Sequence, residues 1–507
     1  MINKKMINKL LKKIKSPSLR DLPQESRSNL RGIFKGLPRL LTLSSRSKGL
    51  AHFKKWSMAP TFAKASVGRR NDGATSVVRI GLLLGAVALF GAGCGKTNAP
   101  PASKTPISVW GIFDDTEAMD PFIKTFSNTE LPGAKVNYRK QSPVDQYENQ
   151  LLSAIAENRG PDVFLIHSSW LPRWQNRILP APVVIMNEKQ VNDQYVDLVA
   201  KDVITNGRVM ALPLFVDTLA LYYNKDIFNT NSVARAPKTW AEVMEIVKRT
   251  TKSNVIETNQ IDQSGIAMGT GKNVNRASDV LSILMMQNGV SMLDKEGNPG
   301  FGDSADAVRA LQFYTDFANP TKDVYSWNTR SDYSIDAFAT NKASMMINYS
   351  YHMATIKAKN PRLNFAIAPL PQVENCPTCK PVTYGGYWLL AVSKQTISPD
   401  TAWRFVKFMT NTPANRDYLQ KTGYPPARKD LVQELQNDPR IGVYATQALS
   451  AESWKQVDSR LVDRLFTEAI DDVVTGKDTA EGALRRASQQ LKAATDTLKA
   501  QQGNTTN

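Results

Sequence analysis

The chain has 507 residues, 42% of them hydrophobic, which is more than one core usually supports, so two or more domains are expected. Its formal charge of +18 lies almost wholly in residues 1–93, which hold 19 Lys and Arg against 3 Asp and Glu and leave 45 against 43 in the rest. The body is close to neutral, which argues against nucleic acid as a partner of the globular part.

Residues 1–78 are basic and Ser-rich, and read as a disordered extension or as the product of a start codon placed too early. Arg79 then precedes an uncharged run of 13 residues, Ile80 to Ala92, followed by Gly93-Cys94 and a polar, Pro-rich tract. That run is short for a membrane span and has the build of an export signal. Gly91-Ala92-Gly93-Cys94 is similar to a lipobox, with Gly91 where Leu is usual; Cys94 is the expected lipidation site, and an uncleaved anchor is the alternative. Residues 94–105 read as a linker.

From Pro106 onward strands and helices alternate. Ile107 and Val109 predict a first strand, Thr116 to Phe126 a helix, Val136 and Tyr138 a second strand, Val144 to Glu157 a helix, and Val163 to Ile166 a buried third strand. This order predicts βαβ units on a parallel sheet, with ligands meeting residues past the strands' carboxyl ends, at Trp110 to Asp114 and His167 to Trp170. Asp217 then stands just before the alternating run Leu219 to Tyr223. Thr239 predicts a helix N-cap with Glu242 completing a capping box. Helices are expected over Ser278 to Gln287 and Ser304 to Phe317, and strands at Gly265 to Met268, Met345 to Asn348, Phe365 to Ala368 and Tyr387 to Val392. Helices are expected from Pro399 nearly to the end.

The order of several short motifs resembles the maltose-binding-like, family 1 extracellular solute-binding proteins of ABC importers. They are Gly160-Pro161-Asp162-Val163-Phe164 with Trp170, the stretch RVMALPLFVDTLALYYNKDIF from Arg208 to Phe228, and Pro237 to Trp240. Ala337-Phe338 with Ala343 to Met346, Gly385-Gly386-Tyr387-Trp388, and Ala402-Trp403 follow. The resemblance implies an α/β, periplasmic-binding-protein-like fold of two lobes with a hinge, an interlobe cleft and a helical C-terminal part. The boundaries expected are 106–222 with 343–375 for the first lobe, and 223–342 with 386–500 mainly for the second. It also implies an extracytoplasmic monomer tethered by lipid, serving an ABC permease and needing no cofactor.

Enzyme signatures are missing from the sequence. His52, His167 and His352 lie far apart, no Walker-type loop occurs, and Asp114-Asp115 are adjacent, whereas glycoside hydrolysis needs two carboxyls converging across one bond. Cys376 and Cys379 form one C-x-x-C pair, too few for a tetrahedral metal site; a small disulfide is expected, with thiol chemistry as the alternative.

What the chain does supply is aromatics at strand ends, which stack on sugar faces, and polar groups for the rims. The expected ligand residues are Trp110, Asp114, Ser169, Trp170, Asp217, Tyr222, Trp327, Tyr349, Tyr351, Gly386, Tyr387, Trp388 and Arg428. Trp174 and Trp403 read as core, and Asp162 as a turn or cap. The expected function is capture of a small solute, a sugar or oligosaccharide, between two lobes. A secreted carbohydrate-active enzyme and a surface scaffold are the alternatives.

Overall fold

The structure, a computed structural model, describes residues 105–254, 260–374 and 381–503. Cys94, Cys376, Cys379 and the whole basic leader lie outside the described residues.

Strand β1 (Ile107–Gly111) alternates buried and half-buried positions. Helix α1 (Thr116–Thr125), strand β2 (Val136–Lys140), helix α2 (Tyr147–Ala156) and strand β3 (Val163–His167) follow in the expected order. β1 pairs in parallel with β2 on one side and β3 on the other, Val109 lying opposite Tyr138 and Val163. β3 is buried along Val163 to Ile166, as an apolar run covered on both faces should be.

Strand β4 (Ala211–Pro213) reaches the same sheet. Strands β5 (Asp217–Thr218) and β6 (Ala220–Asn224) then carry the chain elsewhere. β6 is the centre of an antiparallel three-stranded sheet, flanked by β7 (Met345–Asn348) and β8 (Phe365–Ala368). Helix α3 (Ala277–Gln287) lies between β6 and β7 in sequence. Strand β9 (Thr383–Gly386) brings the chain back, and strand β10 (Trp388–Val392) inserts antiparallel between β3 and β4, completing a mixed five-stranded sheet. Strand β11 (Ala451–Glu452) precedes the long helices α4 (Ser459–Val474) and α5 (Ala480–Gly503).

Two hydrophobic cores result. One gathers β1, β3, β4 and β10 with residues on to Val432, and Ala448 and Ala451; the other gathers β6 to β8, α3, α4 and α5 with Tyr444. The chain passes between them at Val216–Leu219, Tyr384–Tyr387 and Ala451–Trp454. Those three crossings are β5, β9 and β11, which hydrogen-bond to one another as a single three-stranded sheet with Gly386 opposite Asp217. A hinge made this way lets the halves rotate while a few backbone positions absorb the change.

The expected boundaries need correction. Residues 343–375 pack with the second core, because β7 and β8 pair with β6; Met345, Met346 and Ile347 are buried there. Residues 386–432 pack with the first core, because β10 joins β3. Gly265 to Met268 is not a strand: Ser264 makes one bridge to Ala343, and Ala267 N–H donates to the Met345 carbonyl. Thr239 Oγ1 accepts from Glu242 N–H, but the Glu242 carboxylate takes the Lys238 N–H and Arg235 instead of closing the box.

Candidate functional site

The two cores face each other across a cavity of about 850 Å³, toward the upper end of the range small-molecule sites occupy. Strand ends build the first wall. Trp388 opens β10 directly opposite His167, which closes β3, so both lie at the carboxyl edge of the parallel strands. The Trp388 ring meets Phe113 at 5.3 Å, Trp170 at 5.2 Å and His167 at 5.4 Å, each edge to face. Tyr424, stacked on Phe215 at 4.2 Å, extends this wall.

The loop after β7 and the start of α3 build the opposite wall. Tyr349 and Tyr351 stack at 5.9 Å. Arg276 lies over the Tyr349 ring at 5.6 Å and donates to Tyr351 Oη at 2.8 Å. Tyr349 Oη donates to Asp279 Oδ2 at 2.9 Å. These contacts fix both phenol rings before any ligand arrives, which lowers the ordering cost of binding.

Of the residues named from sequence, Ser169, Trp170, Asp217, Tyr349, Tyr351, Gly386 and Trp388 line this cleft. Asp217 is only 2% exposed. Its carboxylate accepts from Ser350 N–H, Ser350 Oγ and Thr218 N–H, so it positions the tyrosine loop across the hinge. Burial pushes its pKa up to about 7, against these donors, which lower it.

The other expected residues sit elsewhere. Trp110 packs against the first core from β1. Asp114 is held by Tyr418 Oη at 3.0 Å, and burial raises its pKa. Tyr222 is buried in the second core and donates to the Tyr349 carbonyl. Trp327 is buried beside a separate polar cavity of about 310 Å³, with Nε1 donating to Asn273. Tyr387 points into the first core and donates to Asp202. Arg428 is paired with Asp430 and lies over Tyr195. Asp114 and Tyr387 each stand next to a lining residue, Phe113 for one and Gly386 and Trp388 for the other, yet turn to partners of the protein itself, as alternation of side chains along an extended chain allows.

Sequence reasoning missed Phe113, Tyr424, Tyr384, Arg276, Asp279 and Trp454 among the lining residues. Phe113 falls in the stretch from Trp110 to Asp114 already expected at the cleft. Arg276 carried no signal, since its place depends on a left-handed backbone (φ 63°) at the head of α3.

Charged groups also join the two halves beside the cleft. Glu148, buried in the first core, accepts from Trp174 Nε1 at 3.0 Å and pairs with Arg173 at 2.5 Å and Arg460 at 3.3 Å. Arg173 continues to Asp458 at 2.6 Å. Arg460 and Asp458 belong to the start of α4, so two ion pairs cross between the halves.

Chemically the cleft is suited to binding. Ser169 Oγ lies 2.8 Å from His167 Nδ1, but among the described residues no carboxylate hydrogen-bonds to the other ring nitrogen, as a hydrolytic triad would have it. Among the described residues no cluster of three metal-ligating side chains occurs, and no helix is long and apolar enough to cross a membrane.

A model of bacterial extracellular solute-binding proteins matches residues 118–443. The chain belongs to that family. A maltotriose-binding protein of Pyrococcus abyssi is 26% identical over 302 residues, 58% of this chain and 61% of its own length. A multiple sugar-binding protein of Streptococcus mutans is 24% identical over 373 residues, 71% of this chain and 85% of that protein. The structure of the sugar-binding protein MalE from Xanthomonas citri superposes with a TM-score of 0.65 at 19% identity, covering 80% of this chain and 100% of that one. The family member described here therefore has the periplasmic-binding-protein fold, with the cleft between its two cores.

Proposed function

We propose that this solute-binding protein is an extracytoplasmic receptor that captures a sugar or oligosaccharide between its two halves and delivers it to an ABC permease. Lipid on Cys94 would hold it beside that permease. The observation that carries the reading is the pair of facing aromatic walls, Trp170 and Trp388 from one core and Tyr349 and Tyr351 from the other. Sugar rings present apolar C–H faces to such walls and hydroxyls to the polar groups between them. The names of the maltotriose-binding and multiple sugar-binding relatives support the same ligand class.

Capture follows from the hinge. Each wall belongs to a different core, so a solute contacts both only in the shut form and shifts the population toward it. The lining carboxylates Asp202, Asp217, Asp279 and Asp463 are each engaged by donors of the protein, an arrangement that suits reversible binding over bond cleavage.

A thermal-shift screen tests this. A solute that binds the folded protein raises the melting temperature by mass action. Neutral mono- or oligosaccharides should do so, and polyols, glycerol phosphodiesters and short peptides should do so less. A screen in which peptides alone stabilise the protein would overturn the reading.

A further inference from the structure

At the junction of the two cores, His167 of the first and Tyr349 of the second both approach Gly386. Gly386 keeps both groups clear: a methyl group on its Cα would crowd Tyr349 Oη at 3.1 Å and stand 3.6 Å from His167 Nε2, and all three residues line the cleft. Gly386 is not among the glycines with positive φ, so its backbone does not require the missing side chain. What glycine supplies here is space.

The two groups beside that space have complementary capacities. Ser169 N–H donates to His167 Nδ1 at 3.3 Å, which places the ring hydrogen on Nε2. Enclosure, reinforced by the positive charge of Arg276, depresses the His167 pKa to about 3, so the ring is neutral. Tyr349 spends its own hydrogen on Asp279, leaving lone pairs on Oη free to accept. One side thus offers a donor and the other an acceptor.

We propose that His167 and Tyr349 form a hydroxyl-reading pair: one ligand hydroxyl, seated over Gly386, accepts from His167 Nε2–H and donates to Tyr349 Oη. This rests on the receptor reading above and requires the ligand to place a hydroxyl, not a charged oxygen or nitrogen, at this spot. A carboxylate or phosphate oxygen has no hydrogen for Tyr349, and an ammonium has no lone pair for His167, so each leaves one partner unmet. Because His167 belongs to the first core and Tyr349 to the second, the hydroxyl is read in full only when the halves are shut.

The test is calorimetric titration of the full chain with glucose, maltose and maltotriose beside glucose 6-phosphate and glucuronic acid. The variants are His167→Phe, Tyr349→Phe, the double variant and Gly386→Ala. The wild type should bind the neutral sugars, and any charged sugar it binds should lose affinity in the same variants. Each single variant should weaken binding by about tenfold, with the melting temperature of the empty protein little changed. The double variant should lose less than the product of the two single losses, because both contacts serve one hydroxyl. Should Tyr349→Phe fail to fold, Gly386→Ala fills the same spot and carries the test. Variants that bind neutral sugar as tightly as the wild type would overturn the pair while leaving the receptor reading intact. A wild type that binds no neutral sugar would overturn both.

Discussion

Asp217 and Ser350 bind each other across the hinge: the carboxylate in β5 takes both the backbone N–H and the hydroxyl of Ser350, the latter at 2.7 Å. Ser350 stands between Tyr349 and Tyr351, so the strand that leaves the first core fixes the aromatic wall of the second. Burial raises the Asp217 pKa to about 7 from an ordinary carboxylate value. A raised carboxylate pKa means that the folded state holds the proton more tightly, so this contribution to stability is complete at pH 4 and is lost as pH rises through 7. Relative to Asp217→Asn, which cannot titrate, the wild type should lose a few degrees of melting temperature between pH 4 and pH 8. Parallel curves for the two proteins would contradict this.

Trp170 is half-buried, its ring set edge-on to Trp388 and exposed to the cleft on one face. Trp170→Ala should weaken solute binding by about tenfold through loss of one stacking surface. The melting temperature of the empty protein should fall only slightly. A large loss of stability without ligand would make Trp170 a core residue, and titration with a stabilising sugar beside a melting curve separates the two outcomes.

The ion pairs from Glu148 and Arg173 to Arg460 and Asp458 cross between the halves. Arg460 is more than half exposed, and Glu148 keeps Arg173 and Trp174 if it is removed. Arg460→Ala should therefore leave the fold intact and loosen closure. Affinity should fall by about two- to fivefold, the worth of an exposed pair, and the radius of gyration should increase in small-angle scattering. An unchanged affinity and radius at low salt would show that this pair does not latch the cleft.

Gly385 contrasts with its neighbour. A Cβ there would lie 2.4 Å from Leu198 Cδ2 and 3.3 Å from Ala451 Cβ, inside the hinge sheet. Gly385→Ala should cost about 1–3 kcal/mol of stability by overpacking, read by denaturant unfolding. Wild-type stability would mean that Leu198 moves aside without strain.

Long periodic elements were legible in the sequence. β1 and β2 follow from apolar alternation, β3 from its continuous apolar run, and the helices between them from helical spacing of apolar residues. The resemblance supplied the two-part fold. The assignment of segments to halves was not legible, because the crossings β5 and β11 are two residues long and β9 four. No periodicity can be read in pieces that short, and the pairing of β10 with β3 joins residues more than two hundred positions apart.

The site was half legible for a related reason. Strand ends such as Trp170 and Trp388 could be placed at the mouth of a parallel sheet. Tyr222 and Tyr387 have the same composition signal, yet alternation along β6 and a single step before β10 turn them inward. Arg428 looked available but meets Asp430 two residues on. Arg276 and Asp279 reach the cleft only through the start of α3, which nothing in their local sequence announces.

The most direct measurement is a crystal structure with the sugar that most raises the melting temperature. The sugar should lie between Trp170 and Trp388 on one side and Tyr349 and Tyr351 on the other, with a hydroxyl beside Gly386. A ligand seated in the polar cavity beside Trp327, with the cleft unfilled, would contradict it.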